Sequence, residues 1–121
     1  VYYMLQHLEP SLLCGGILNK LNSNAVFGKK DFFVVEADES DATFLKIPTN
    51  ISIITNIDSE HLDYYGNISN ILSSFTKHIR NMLKNGLVIA CIDCTYIAEI
   101  HHEFANHQGF VSYSLYNKQA S

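Results

Sequence analysis

Two kinds of apolar pattern take turns along this chain, and that alternation constrains its fold more than any other feature. Residues 32–37 (FFVVEA), 51–57 (ISIITNI), 87–92 (LVIACI) and 110–115 (FVSYSL) are short runs rich in β-branched and aromatic side chains. The first two lack a clean polar alternation and read as strands buried on both faces, as in a parallel sheet. Between Gly66 and Gly86, by contrast, Ile68, Ile71, Leu72, Phe75, Ile79, Met82 and Leu83 recur at spacings of three and four. That spacing predicts one apolar stripe on a helix. Asn67 or Ser69 is placed to cap its start, and Lys77, Arg80 and Lys84 suit the negative end of its dipole. A shorter stripe (Ile97, Ile100, His101, Phe104) predicts a second helix, capped by Asp93 or Thr95. Strand, helix, strand, helix, strand implies an α/β fold: a doubly wound, mostly parallel sheet with flanking helices.

Upstream the signals are weaker. Residues 1–9 read as the tail of a helix that stops before Pro10, Gly15-Gly16 as a turn or a close backbone approach, and 25–27 as a short strand. No repeat, low-complexity tract or linker marks a domain boundary. With 47% hydrophobic and 17% charged residues the chain is neither disordered nor fibrous. No apolar run approaches the ~20 residues of a membrane span, so no membrane partner is expected. A net charge of −4 with a single arginine, Arg80, argues against a nucleic-acid partner. Three cysteines, an odd count, point to a reducing, cytoplasmic setting. Residue 1 is Val, which suggests a segment of a longer protein.

The charge is concentrated. Of twelve acids, seven (Glu36, Asp38, Glu39, Asp41, Asp58, Glu60 and Asp63) lie between positions 36 and 63, opposed only by Lys46. The window carries −6 and the remainder +2. An acid cluster is most often a solvated surface. Here, however, both acidic segments follow directly on predicted strands, and open α/β sheets bind ligands outside the carboxyl ends of their strands. Glu36 ends an apolar run, either satisfied by backbone amides or water, or acting as a carboxylate ligand to Mg²⁺. His61, among Asp58, Glu60 and Asp63, is a second candidate ligand. Cys91 and Cys94 form C-x-x-C, which invites a redox or zinc reading, but a first cysteine inside a strand favours core packing. His101, His102 and His107 read as a solvated helix face. No nucleophile elbow, H-E-x-x-H motif or dinucleotide fingerprint occurs.

Three stretches together carry a resemblance. E-A-D-E-S-D-A-T-F-L from Glu36, I-T-N-I from Ile54 and H-L-D-Y-Y-G from His61 closely resemble the central ATP-binding domain of the Mur ligases, over residues 1 to about 116. The first run is most similar to the branch that joins L-alanine to UDP-N-acetylmuramate. A branch that recycles a murein tripeptide has a similar stretch but usually an aromatic residue at the Ser40 position. The resemblance implies an enzyme of peptidoglycan synthesis. It uses ATP to phosphorylate the lactyl carboxylate of UDP-N-acetylmuramate, and the amine of L-alanine attacks the acyl phosphate. It further implies that Glu36 and His61 are catalytic and bind Mg²⁺, and that Ser40, Asn56 and Asp63 lie beside the substrate.

The resemblance also implies a partial domain over residues 1–121. The phosphate loop G-x-x-G-K-[ST] is absent from the sequence, and so is the family's C-terminal domain. Glu60 stands where the family usually has Asp, and Cys94 where a second acid often follows Asp93. Phe75-Thr76 occupies the region where some relatives carry a carbamylated lysine, which suits the alanine-adding branch. Two rival readings are another Mur-type ligase, such as the tripeptide-recycling one, and a non-catalytic α/β module that holds a structural cation.

Overall fold

The computed structural model describes residues 1–116; the last five positions of the domain expected over 1–121 lie outside the described residues. Although no linker marks a seam in the sequence, the chain divides into two compact units, Val1–Asp38 and Glu39–Ser121.

The first unit opens with a 3-10 helix, Tyr2–Leu8, which buries no residue and ends where Glu9 takes a left-handed conformation (φ 46°) before Pro10. Strand β1 (Ser11–Leu18) follows, so Gly15 and Gly16 lie within a strand and not in a turn. They fall where the pairing with β2 (Ser23–Val26) shifts register, between Leu13 and Leu18. Glycine inside a strand often marks such a bulge. β2 runs antiparallel to β1, and β3 (Phe33–Val35) runs parallel to it with Leu12 opposite Val34. The order is β2-β1-β3, which leaves β3 at an edge. Its expected burial on both faces is therefore not met: Phe33 is 62% exposed and both valines are half-buried. The six-residue connection from β2 to β3, residues 27–32, passes at Gly28 so close to Glu9 that a Cβ there would lie 2.1 Å from the Glu9 carbonyl oxygen. Only glycine fits there.

The second unit carries the main core. Three parallel strands, β4 (Ile51–Ile54), β5 (Leu87–Cys91) and β6 (Phe110–Tyr113), lie in the order β4-β5-β6. A one-turn helix α1 (Leu62–Tyr65) and the long α2 (Ile68–Met82) connect β4 to β5, and α3 (Thr95–Phe104) connects β5 to β6. Successive crossovers in one direction place both long helices on one face. That face shows it: Ile54, Val88, Ala90 and Phe110 are buried against Ile71, Phe75, Ile79, Met82, Ile97 and Phe104. On the other face Ile51, Ile53 and Val111 remain exposed. Two-sided burial, expected for residues 51–57, thus fails for β4, which has one neighbour and ends at Ile54. It holds best for β5, which has two. The α/β architecture, mostly parallel with flanking helices, is as the sequence implies; within these residues its winding runs one way.

The caps separate the alternatives. Asn67 Oδ1 accepts the Asn70 N–H at 3.0 Å and starts α2. For α3, neither expected residue caps: Cys94 occupies the position without a side-chain bond. Asp93 instead accepts the Ser114 hydroxyl and, at 2.7 Å, the Leu115 N–H, because the exit of β6 brings those donors closer. Both bonds, the Ser114 one foremost, hold its carboxyl below the usual range.

One buried group makes stability depend on pH. His78 of α2 is 9% exposed, packs against the Phe44 ring at 5.2 Å and meets Ser52 Oγ of β4 through Nε2 at 2.9 Å. Burial pushes its pKa down. The folded state therefore resists a proton that the unfolded chain accepts below about pH 6.5, so stability falls as pH drops through that value. Unfolding measured at pH 7.5 and 5.5 should show a smaller loss on acidification for His78→Gln than for wild type. Equal losses in the two proteins would contradict this assignment.

Candidate functional site

Parallel pairing sends the carboxyl ends of β4, β5 and β6 to one edge of the second unit, and the loops leaving them are laced together. Asn56 lies two residues beyond β4, exposed. The next residue, Ile57, is buried, and its backbone is held at both groups by one thiol. Cys94 Sγ accepts the Ile57 N–H and donates to the Ile57 carbonyl, each at 3.4 Å. Cys94 thus fixes the segment that presents Asn56, a role that the sequence did not signal. Beyond β5, the Asp93 carboxylate ties down the exit of β6 through Ser114 and Leu115.

The two thiols of the C-x-x-C face different partners. Cys91 is buried and donates to Asp93 Oδ2 at 3.9 Å, while Cys94 serves Ile57. All three cysteines are free. The packing reading of this motif therefore accounts for both.

After Ile57 the chain turns through Asp58, whose Oδ1 accepts the Ser59 N–H at 2.7 Å, and reaches His61. His61 precedes α1 in the left-handed region, φ 54° and ψ 33°. That backbone is costly for a residue with a Cβ, by roughly 1–2 kcal/mol, and such strain collects at functional positions. Its carbonyl accepts from Tyr64 and Tyr65, and Gly66 (φ 78°) ends the turn. Asp63 lies in the first turn of α1, where an acid suits the helix dipole.

The Tyr65 ring is buried, and its hydroxyl donates to the Glu39 carbonyl at 2.5 Å. Burial, first, pushes the phenol pKa up. Glu39 Oε1 in turn lies 4.0 Å from His61 Nε2, with the two side chains 47% and 37% exposed. So the structure brings His61 to Glu39, which the sequence reading counted only as part of an acidic window. Ser40 follows it, half-buried. Asp41 Oδ1 then accepts the Thr43 N–H at 2.9 Å and opens a 3-10 helix, Thr43–Lys46.

Glu36 belongs to the first unit. It follows β3 directly, its N–H donates to Leu13 at 2.9 Å, and its exposed carboxylate accepts the Gly15 N–H on Oε2 at 2.9 Å. The glycine pair thereby acquires a purpose: the bulged strand turns a backbone donor toward the carboxylate and orients it.

Among the described residues no group of three or more His, Cys, Asp or Glu side chains could by itself hold a metal ion. No described helix is long and apolar enough to cross a membrane.

Comparison with known proteins agrees with this architecture. The family model described as the Mur ligase middle domain matches residues 17–121. A UDP-N-acetylmuramate–L-alanine ligase from Brucella anthropi is 48% identical over 87 residues, covering 72% of this chain and 19% of that protein. The ligase of the same name from Brucella ovis is 47% identical over 87 residues, covering 72% and 18%. The crystal structure of UDP-N-acetylmuramate-alanine ligase from Thermotoga maritima superposes with a TM-score of 0.72 at 27% identity, over 95% of this chain and 25% of that one. The chain spans about a fifth of the length of the curated relatives it matches. With the family model covering most of its residues, and a parallel α/β sheet beneath the matched motifs, the chain belongs to the Mur ligase family, in its middle domain.

Proposed function

We propose that this chain is part of a UDP-N-acetylmuramate–L-alanine ligase, a cytoplasmic enzyme of peptidoglycan synthesis, and that it contributes the carboxylate-and-imidazole portion of the ATP site. The observation that carries the reading is a coincidence of motif and place. The E-A-D-E-S-D run and the H-L-D-Y-Y-G run both stand just beyond strands, within a stretch nearly half identical to ligases of that name.

In the proposed reaction the lactyl carboxylate of UDP-N-acetylmuramate attacks the γ-phosphorus of ATP and ADP departs. The L-alanine amine then attacks the acyl phosphate, loses a proton and expels phosphate as the amide forms. Two anions must approach each other, so positioning and charge neutralisation supply most of the catalysis. Mg²⁺, when bound, supplies that neutralisation. Glu36 offers it a carboxylate already oriented by the Gly15 N–H, and His61 offers an imidazole held at a strained turn. In this reading Asn56, on the segment fastened by Cys94, together with Ser40 and Asp63, lies beside the substrate. Ser40 itself favours the alanine-adding branch over the tripeptide-recycling one, whose members usually carry an aromatic residue there.

The assay is release of ADP by a full-length ligase carrying this segment. L-alanine should support turnover and the murein tripeptide should not. Preference for the tripeptide would overturn the assignment. These 121 residues alone lack a phosphate-loop lysine and should give no turnover with ATP, UDP-N-acetylmuramate and L-alanine. Measurable ligation by them would show that the loop is dispensable.

A further inference from the structure

We infer that Glu39 is a positioning residue for His61, holding the imidazole by its Nε2 edge so that Nδ1 is the atom presented to the cation. The inference rests on the proposed reading of His61 as a metal ligand.

The geometry is local and lies wholly within the second unit. Glu39 Oε1 lies 4.0 Å from His61 Nε2, too long for a direct hydrogen bond but close enough to draw the ring by its N–H. Sites of this kind are often loose before ligand arrives and tighten on binding. Glu39 is not free to wander, since the buried Tyr65 hydroxyl holds its carbonyl at 2.5 Å. Tyr65 also donates its N–H to the His61 carbonyl at 3.1 Å. One helical turn thus fixes both members of the pair: His61 by its backbone at the turn's start, and Glu39 by a ring at the turn's end.

The chemistry explains why such a partner is useful. Mg²⁺ is a hard cation that prefers oxygen, so a neutral imidazole is a weak ligand for it. A carboxylate accepting the far N–H sets the tautomer, fixes the ring plane and raises the basicity of the ligating nitrogen. The pair is too exposed to matter much for stability, which leaves orientation as its role.

The test uses a full-length ligase carrying this segment, with ¹⁵N-labelled histidine and Mn²⁺ as the paramagnetic probe. In the wild type, long-range ¹H–¹⁵N spectra at pH 8 should show His61 with its proton on Nε2, and Mn²⁺ should broaden its signals. Glu39→Ala should redistribute the proton between the two nitrogens and weaken Mn²⁺ binding about 10- to 100-fold, the usual effect of losing such a partner. Glu39→Gln keeps an acceptor and should retain the wild-type tautomer, with a smaller loss of affinity. Unchanged tautomer and Mn²⁺ affinity in Glu39→Ala would overturn the role of Glu39. Wild-type His61 signals unaffected by Mn²⁺ would instead remove His61 from the metal site, and the inference with it.

Discussion

In a full-length ligase carrying this segment, Glu36→Ala and His61→Ala should each lower kcat by about 10² or more, the loss expected when a preorganised electrostatic group is removed from a charge-building transition state. Glu36 has the stronger case on geometry, because its carboxylate is held by a backbone N–H and not by another charge. Removing the side chain should leave β3 intact, since the Glu36 N–H still pairs with Leu13. Glu36→Gln separates charge from shape: it retains an oxygen for Gly15 but not the negative charge, and should be nearly as impaired as alanine. Steady-state ADP release at saturating ATP and substrates is the measurement. Near-wild-type kcat in both alanine variants would take the two residues out of the mechanism.

The second large effect concerns the core. Ile79 is fully buried between α2 and the sheet, in the cluster that contains Phe75, Val88 and Ile97. Ile79→Ala should destabilise the second unit by about 2–5 kcal/mol, combining lost transfer energy with the cavity left behind. Against a typical domain stability of about 5–15 kcal/mol, that is a large fraction. Hydrogen exchange is the suitable readout, because α2 and β5 should lose protection together. The exposed Lys77→Ala on the same helix should change protection by no more than about 0.5 kcal/mol. Equal protection in wild type and Ile79→Ala would mean that this helix is not part of the cooperative core.

How far the sequence was legible depended on whether the deciding interaction was local. The stripe from Ile68 to Leu83 announced α2 and its buried face, because helical spacing alone determines which side chains share a side. Residues 11–18 were legible only in part: Gly15-Gly16 suggested a turn or a close backbone approach, and the turn is absent because the partner strands β2 and β3 hold the stretch extended. The run at 32–37 was correctly a strand but not correctly buried, since burial depends on how many neighbours a strand acquires. Asp93 was offered as a cap and instead serves Ser114 and Leu115, more than twenty residues away.

The same division runs through the site. Residue type and order by themselves determined the α/β class, the helix faces, and the acidic and histidine segments that follow the strands, since each is a matter of spacing along one stretch of chain. Tertiary structure alone decided that Gly15 orients Glu36, that the Cys94 thiol fastens Ile57, and that Glu39 faces His61 across a turn pinned by Tyr65. These contacts join residues from 21 to 37 positions apart. A hydrogen bond depends on distances of a few ångströms between chain segments, and no periodicity within a single segment carries that information.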